Sequence, residues 1–189
     1  MDDLTIVREG VTSPCGQYLY RLSRRWGTAP VLPFLLFNPS PSHILTDDRV
    51  IRRCTYFARR EGCGGIVILN LYAYRTRCKE DLLRFIGQGG DGVGPENLKW
   101  VRETMRDEGR IILGWGGMTY KEQDRHGEVI RATFDVLPRE ITYWCLGATG
   151  NESPRHPSRV GNDVPLEDYW PGVEWVPKDS AAYRYITER

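Results

Sequence analysis

No stretch of the chain stays apolar for the roughly twenty residues that a membrane-crossing helix needs, so no span is expected. No Cys-x-x-Cys pair occurs among the five cysteines, Cys15, Cys54, Cys63, Cys78 and Cys145. The three histidines, His43, His126 and His156, show no metal-ligand spacing either. A disulfide framework and a zinc ribbon are thereby disfavoured, and reduced, mostly buried thiols are expected, with no metal and no cofactor. No Gly-x-Gly-x-x-Gly or Walker loop follows an apolar strand; GQGGDGVG (87–94) follows a helical stretch and reads as a loop. Charge of one sign is also missing. Lys and Arg number 26 against 25 Asp and Glu, a net of +1, so bulk charge does not single out nucleic acid as the partner. Repeats, low-complexity tracts and linkers are absent, and 189 residues suit one domain with a real core, 1–189. The opening MDDLTIVREGV is acidic and mixed, unlike a secretory leader, and a cytoplasmic location is expected.

What the chain does have is an alternation of apolar runs and amphipathic stretches. VLPFLLF (31–37), GIVILN (65–70), RIILGW (110–115) and ITYWCL (141–146) are short, continuous and rich in branched and aromatic residues, as buried parallel strands are. Between them, DDRVIRRCTYFARREG, GPENLKWVRETMRDEG and EVIRATFDVLP carry apolar residues at helical spacing and end at Gly62, Gly109 and Pro138. This order predicts an α/β domain, a three-layer sandwich around a central, mostly parallel four-stranded sheet. YLYRLSRRW (18–26) suggests an extra N-terminal strand. The segment 161–189, with Trp170 and Trp175, is a C-terminal extension without an assigned element.

Ligands of such sheets sit outside the carboxyl ends of the strands. The segments leaving those ends read NPSPSH, NLYAYR, GWGGMTY and GATGNESPRHPS, richer in Asn, Ser, His, Arg and aromatics than turns require. The first breaks off a strand at an Asn-Pro step and offers Asn38, Ser40, Ser42 and His43. Charge is also unevenly spread. Arg49 to Lys79 holds eight basic residues and one acid, Glu61, whereas Gly161 to Arg189 holds six acids against three bases. A solvated helix face explains the first cluster as well as a phosphate-binding face does.

Taken together, these motifs resemble a bacterial and phage family known as domain of unknown function 1643. Asn38-Pro39-Ser40, Asp47-Asp48, Arg52-Arg53, Asn70 to Arg75, Gly94 to Asn97, Trp115-Gly116 and Pro154 to Pro157 occur in its order, over about residues 18 to 158. That family name implies no activity. More distantly, the loop order is similar to that of the uracil-DNA glycosylase superfamily. There, a first-strand Asn-Pro loop positions water, an Asn ending the next strand reads a pyrimidine edge, and a late His-Pro-Ser loop steadies the departing base. The matching positions are Asn38-Pro39, Asn70, Trp115-Gly116 and His156-Pro157-Ser158; Arg159-Val160 replaces the residues that usually follow.

The chemistry agrees with that resemblance. Cleaving a base from a sugar needs a pocket for the base, an amide for its edge and a donor for the leaving anion. Asn70 carries both an acceptor and a donor; Phe37, Tyr72 and Tyr74 are the candidates for stacking, and Ser40 for a further base contact. His156 can donate to the anion, and Asn38 can orient water but not take its proton, so a general base has to be Asp47 or Asp48, or is missing. Arg52, Arg53, Arg75, Arg155 and Ser158 are the phosphate candidates. Three functional readings stay open: a glycosylase-type hydrolase of uracil or a modified pyrimidine, a non-catalytic module binding nucleic acid or a modified base, and an enzyme acting on a small nucleotide or metabolite. DNA or a nucleotide is the partner these readings share, and nothing in the pattern speaks to oligomeric state.

Overall fold

The computed structural model describes residues 6–41 and 44–170. Ser42, His43, Trp175 and the extension beyond residue 170 lie outside the described residues. The four apolar runs are strands: β3 (Val31–Leu36), β4 (Gly65–Asn70), β5 (Arg110–Leu113) and β6 (Thr142–Cys145). They lie side by side in parallel, in the order β4-β3-β5-β6. The expected four-stranded sheet is, however, the middle of a larger mixed one. Antiparallel β2 (Leu19–Arg25) joins β4, β1 (Val7–Thr12) pairs with β2, and the two-residue β7 (Glu167–Asp168) closes the other edge on β6. The result is an α/β fold with a seven-stranded sheet and four helices among the described residues.

Side-chain alternation along the strands divides the core in two. Leu35, Val67, Leu69, Ile111 and Leu113 pack with Leu82, Val101, Met105, Ile130 and Phe134. Those partners come from α2 (Lys79–Gly87), α3 (Asn97–Met105) and α4 (Tyr120–Asp135). The intervening residues Leu32, Phe34, Leu36, Ile66, Ile68 and Ile112 pack with Ile51, Cys54, Phe57 and Ala58 of α1 (Arg49–Arg60). All six residues of β4 are buried, which is why that strand reads as a continuous apolar run rather than as an alternating one.

The helical stretch ahead of the GQGGDGVG loop is α2, KEDLLRFIG, held to the α3 and α4 side of the sheet by the fully buried Leu82. One helix differs from the sequence reading. The helix expected from residue 128 begins eight residues earlier, at Tyr120. Thr119 and Glu122 form a reciprocal capping box there, satisfying two N–H groups that the first turn leaves open.

Strand order reverses between β3 and β5. The chain runs from β3 through α1 to β4 on one side, then returns to β5 on the other side of β3. Such a point leaves a crevice at the carboxyl ends, because the loops that leave it part in opposite directions.

Candidate functional site

A pocket of about 170 Å³ opens at the carboxyl ends of β3 and β4. Leu19 and Leu22 of β2, Leu36 of β3, Ile68 of β4 and Ile51 of α1 give it apolar walls. Asn38, Ser40, Asp48, Asn70, Thr76, Arg77 and His156 supply its polar groups. An apolar cavity of roughly 150 Å³ accommodates one benzene ring, so this pocket has the capacity for a single six-membered ring. Apolar walls with a few convergent polar groups are the ordinary make-up of a small-molecule site.

Asn70 is the deepest of those polar groups. It ends β4, is 2% exposed, and its Oδ1 has no hydrogen-bond partner in the protein. A buried, unpartnered amide oxygen costs on the order of 1–3 kcal/mol, so its presence in a cavity lining implies an external donor. The backbone behind it is pinned from the other face of the sheet. Asn97, fully buried at the start of α3, donates through Nδ2 to the carbonyls of Asn70 (2.9 Å) and Leu71 (3.2 Å). Gly94 to Asn97 was part of the sequence pattern, but nothing local showed that Asn97 reaches the end of another strand.

Asn38 is held by its nitrogen. Nδ2 donates to the Thr76 hydroxyl (2.9 Å) and to the carbonyls of Pro39 (3.2 Å) and Thr76 (3.4 Å). Thr76 in turn donates its hydroxyl to the Cys78 carbonyl (3.0 Å), and its N–H bonds the Pro39 carbonyl (3.2 Å). These bonds use the amide hydrogens and leave Oδ1 as the acceptor that Asn38 contributes to the site. Thr76 is the positioning residue, and it was missed because its role depends on the loop after β4 running beside the loop after β3.

The two neighbouring acids separate. Asp47 does not line the pocket; it pairs with the buried Arg24 (2.6 Å) and with Arg8 (3.3 Å), tying the segment before α1 to β2 and β1. Asp48 does line it. One oxygen caps α1 by accepting the Ile51 N–H (2.9 Å), and the other accepts the Ser40 hydroxyl (2.9 Å).

His156 stands where this pocket meets a wider groove. Its Nδ1 accepts the N–H of Ser158 (3.2 Å), with the Ser158 hydroxyl 2.8 Å away, so the neutral ring carries its proton on Nε2. Burial, helped by the nearby positive charge of Arg159, pulls its pKa down to about 4. At neutral pH the ring is therefore an uncharged N–H donor. The loop fits because Gly114 lets Pro157 approach: a Cβ there would lie 3.0 Å from the proline ring. The neighbouring Trp115 is buried and packs edge-on against Phe134, which makes it core.

Among the described residues, the wider groove, about 790 Å³, is lined by Arg77, Lys79, Arg155 and Arg159 against one carboxylate, Glu80, together with Phe37, Ser158 and the Gly116-Gly117 turn. Arg155 is anchored by Nε to the Ala148 carbonyl (3.0 Å). The side chains of Arg77 and Arg159 make no hydrogen bond or ion pair among the described residues.

The remaining candidates lie elsewhere. Tyr72 is buried, 2.7 Å from Nδ1 of His126, whose burial likewise brings its pKa down to about 4. Tyr74 stacks on Phe85 at 3.8 Å, outside the ring-sized pocket, and Phe37 contacts only the outer groove, beneath the Lys79 ammonium. No Phe, Tyr or Trp side chain lines the ring-sized pocket among the described residues. Arg53 clasps the carbonyls of Pro157, Val160 and Gly161, and with Arg49 and Arg60 it fastens the chain after His156 onto α1. Arg52 reaches back to the Asp47 carbonyl, and Arg75 bonds the carbonyls of Gly16 and Pro41. Ser158 is committed to His156. Much of the basic flank from Arg49 therefore binds protein carbonyls, whereas the exposed cations of the groove come mainly from the loops after β4 and β6. Among the described residues, no three His, Cys, Asp or Glu side chains gather as metal ligands, and no helix is long and apolar enough to cross a membrane.

In comparison with known proteins, residues 20–158 match the family described as "Protein of unknown function (DUF1643)". No curated protein and no solved structure matches the chain.

Proposed function

We propose, for a chain that belongs to the DUF1643 family of proteins of unknown function, that the ring-sized pocket receives a single-ring nucleobase and that the protein is a glycosylase-type hydrolase of uracil or a modified pyrimidine. The observation that carries this is Asn70, a buried amide whose oxygen has no protein partner in a cavity sized for one ring. Its oxygen and nitrogen match the donor and acceptor that sit side by side on a pyrimidine edge. The parallel order β4-β3-β5-β6, with helices packed on both faces, supports a uracil-DNA-glycosylase-like three-layer fold behind it.

In this reading the extruded base lies between the Leu22, Leu36 and Ile68 walls with its edge on Asn70. Asn38 Oδ1 orients a water toward the sugar carbon. The C–N bond breaks, the water oxygen bonds to that carbon, and the electron pair leaves with the base. His156 Nε2–H donates a hydrogen bond to the resulting anion; as a neutral donor it loses little to solvation by water. The water's proton passes to Asp48, the one carboxylate that lines the pocket among the described residues.

A second reading rests on Asp48 itself. Both of its oxygens already accept hydrogen bonds, from Ser40 and from Ile51, which suits a pocket that binds a modified base without turning it over. Oligonucleotides carrying uracil, hydroxymethyluracil or mismatched thymine, incubated with the protein and cleaved in alkali, decide between the two. Base release by the wild type that is lost in Asp48→Asn, a change that keeps a good helix cap, supports hydrolysis. Salt-sensitive binding without release supports the binding module. Stabilisation by free nucleotides, with neither release nor oligonucleotide binding, transfers the site to a small-molecule enzyme and overturns both.

A further inference from the structure

Arg77 belongs to three depressions at once. It lines the ring-sized pocket, the basic groove beside it, and a third hollow of about 440 Å³ formed by Pro41, Tyr74, Arg75, Asp81, Arg84 and Phe85. No other residue is common to all three among the described residues. Its side chain is exposed and makes no hydrogen bond or ion pair among them, although Arg75, two residues earlier, is occupied by two carbonyls. The Arg77 backbone is not free to drift: the preceding Thr76 is bonded to Pro39, Asn38 and Cys78.

The hollows on either side of Arg77 share a character that the ring-sized pocket lacks. One holds Arg155 and Arg159 with Lys79, which is paired to Glu122 (2.6 Å), against Glu80; the other holds Arg75 and an Arg84–Asp81 ion pair (2.8 Å) over an apolar floor made by the stacked Tyr74–Phe85 pair, so each keeps an excess of positive charge. Cations on both sides of the ring-sized pocket match a ligand whose neutral ring sits between two phosphates. A free mononucleotide has a phosphate on one side only. Basic tracks with aromatic patches are how single strands are held without reading sequence.

We infer that a polynucleotide strand crosses the mouth of the pocket, with one phosphodiester in each basic hollow and Arg77 bridging them beside the inserted base. This deepens the nucleobase reading by naming its substrate as a base within a strand, and it rests on that reading only for what enters the pocket.

The test uses the full chain and a labelled single-stranded deoxyoligonucleotide with a central tetrahydrofuran in place of one nucleotide's sugar and base, followed by fluorescence anisotropy across a salt series. That probe has nothing for Asn70 to hold, so it reports the phosphate path alone. Wild-type affinity is expected to fall log-linearly with salt, and Arg77→Gln to weaken low-salt binding about tenfold and make the slope shallower by about 0.7. Arg84→Gln and Arg159→Gln, on opposite sides of the mouth, are each expected to reduce the slope as well. All three positions are exposed, so these variants fold. Uridine monophosphate, run as the comparison, should bind far more weakly, and with no loss in at least one of the two flanking variants. An Arg77→Gln protein with wild-type slope overturns the bridge. Loss in only one of the flanking variants overturns the crossing strand and leaves a one-sided site. If base release fails while these slopes hold, the catalytic reading falls and the strand path stands.

Discussion

The ring-sized pocket and the groove beside it are built on different principles. Inside, four polar groups are fixed from behind: Asn70 by Asn97, Asn38 by Thr76, His156 by Ser158, Asp48 by the cap it provides to α1. Outside, the exposed side chains of Arg77 and Arg159 make no hydrogen bond or ion pair among the described residues. Fixed groups in an apolar cavity discriminate, because any group left without a partner there is costly. Solvated cations attract any anion of suitable spacing and lose that attraction to salt. The difference assigns selectivity to the inner pocket and affinity to the outer groove, and substitutions can separate the two.

The largest effect is expected where the inner wall is tied down. Asp47→Ala leaves the guanidinium of Arg24, 1% exposed, without its carboxylate. A loss of about 3 kcal/mol in folding stability is expected, measured by urea denaturation. Asp48→Asn, one residue on, should stay within about 0.5 kcal/mol of wild type, because Asn caps a helix as well as Asp does. Equal losses at both positions would erase the distinction between a frame acid and a pocket acid.

A comparable effect comes from pH. His126 and His156 both have folded pKa values brought down to about 4, chiefly by burial, below the ordinary 6.5. Between those values the unfolded chain binds more protons than the folded one. The stability each neutral ring confers is therefore complete above pH 6.5 and lost as pH falls toward 4, about 3 kcal/mol for each at the limit. Denaturation midpoints measured from pH 7 to 4 should show that fall, and His156→Asn should remove about half of it. A flat profile would mean that the rings are not held neutral.

Discrimination comes next. Asn70→Leu removes a buried oxygen that has no partner, so the variant should gain about 1 kcal/mol in stability. It should also lose roughly a hundredfold in preference for a pyrimidine-bearing oligonucleotide over its abasic counterpart, with its salt slope unchanged. A change in slope would place Asn70 outside the inner pocket. The smallest effect belongs to the groove: Arg155→Gln should weaken oligonucleotide binding a few-fold at low salt and imperceptibly at high salt. An effect that persists at high salt would make that cation part of the inner recognition.

The parallel strands and the loops leaving them were readable in the sequence because each is local. An apolar run marks a buried strand, and the Asn38-Pro39 step marks where β3 ends. The antiparallel edges were harder. Glu167–Asp168 pairs with Trp144 and Cys145, a contact more than twenty residues distant that two acidic residues do not announce. The missed start of α4 was written in Thr119-x-x-Glu122, a signal that was there to be used. Site residues divided for a different reason. Arg75 and Arg77, like Asp47 and Asp48, are chemically alike and nearly adjacent. What separates them is whether carbonyls or a buried arginine from distant strands lie within reach, and no local pattern encodes that. For the same reason Phe37, Tyr72 and Tyr74 looked equivalent as stacking candidates, yet the fold places none of them against the ring-sized pocket.

The measurement that bears most directly on the account is a crystal structure with a pyrimidine-bearing oligonucleotide. The account predicts the ring between Leu22, Leu36 and Ile68, with Oδ1 and Nδ2 of Asn70 at about 2.7–3.2 Å from its edge and His156 Nε2 facing the same ring. A base bound elsewhere, with the pocket beside Asn70 holding only water, would contradict it.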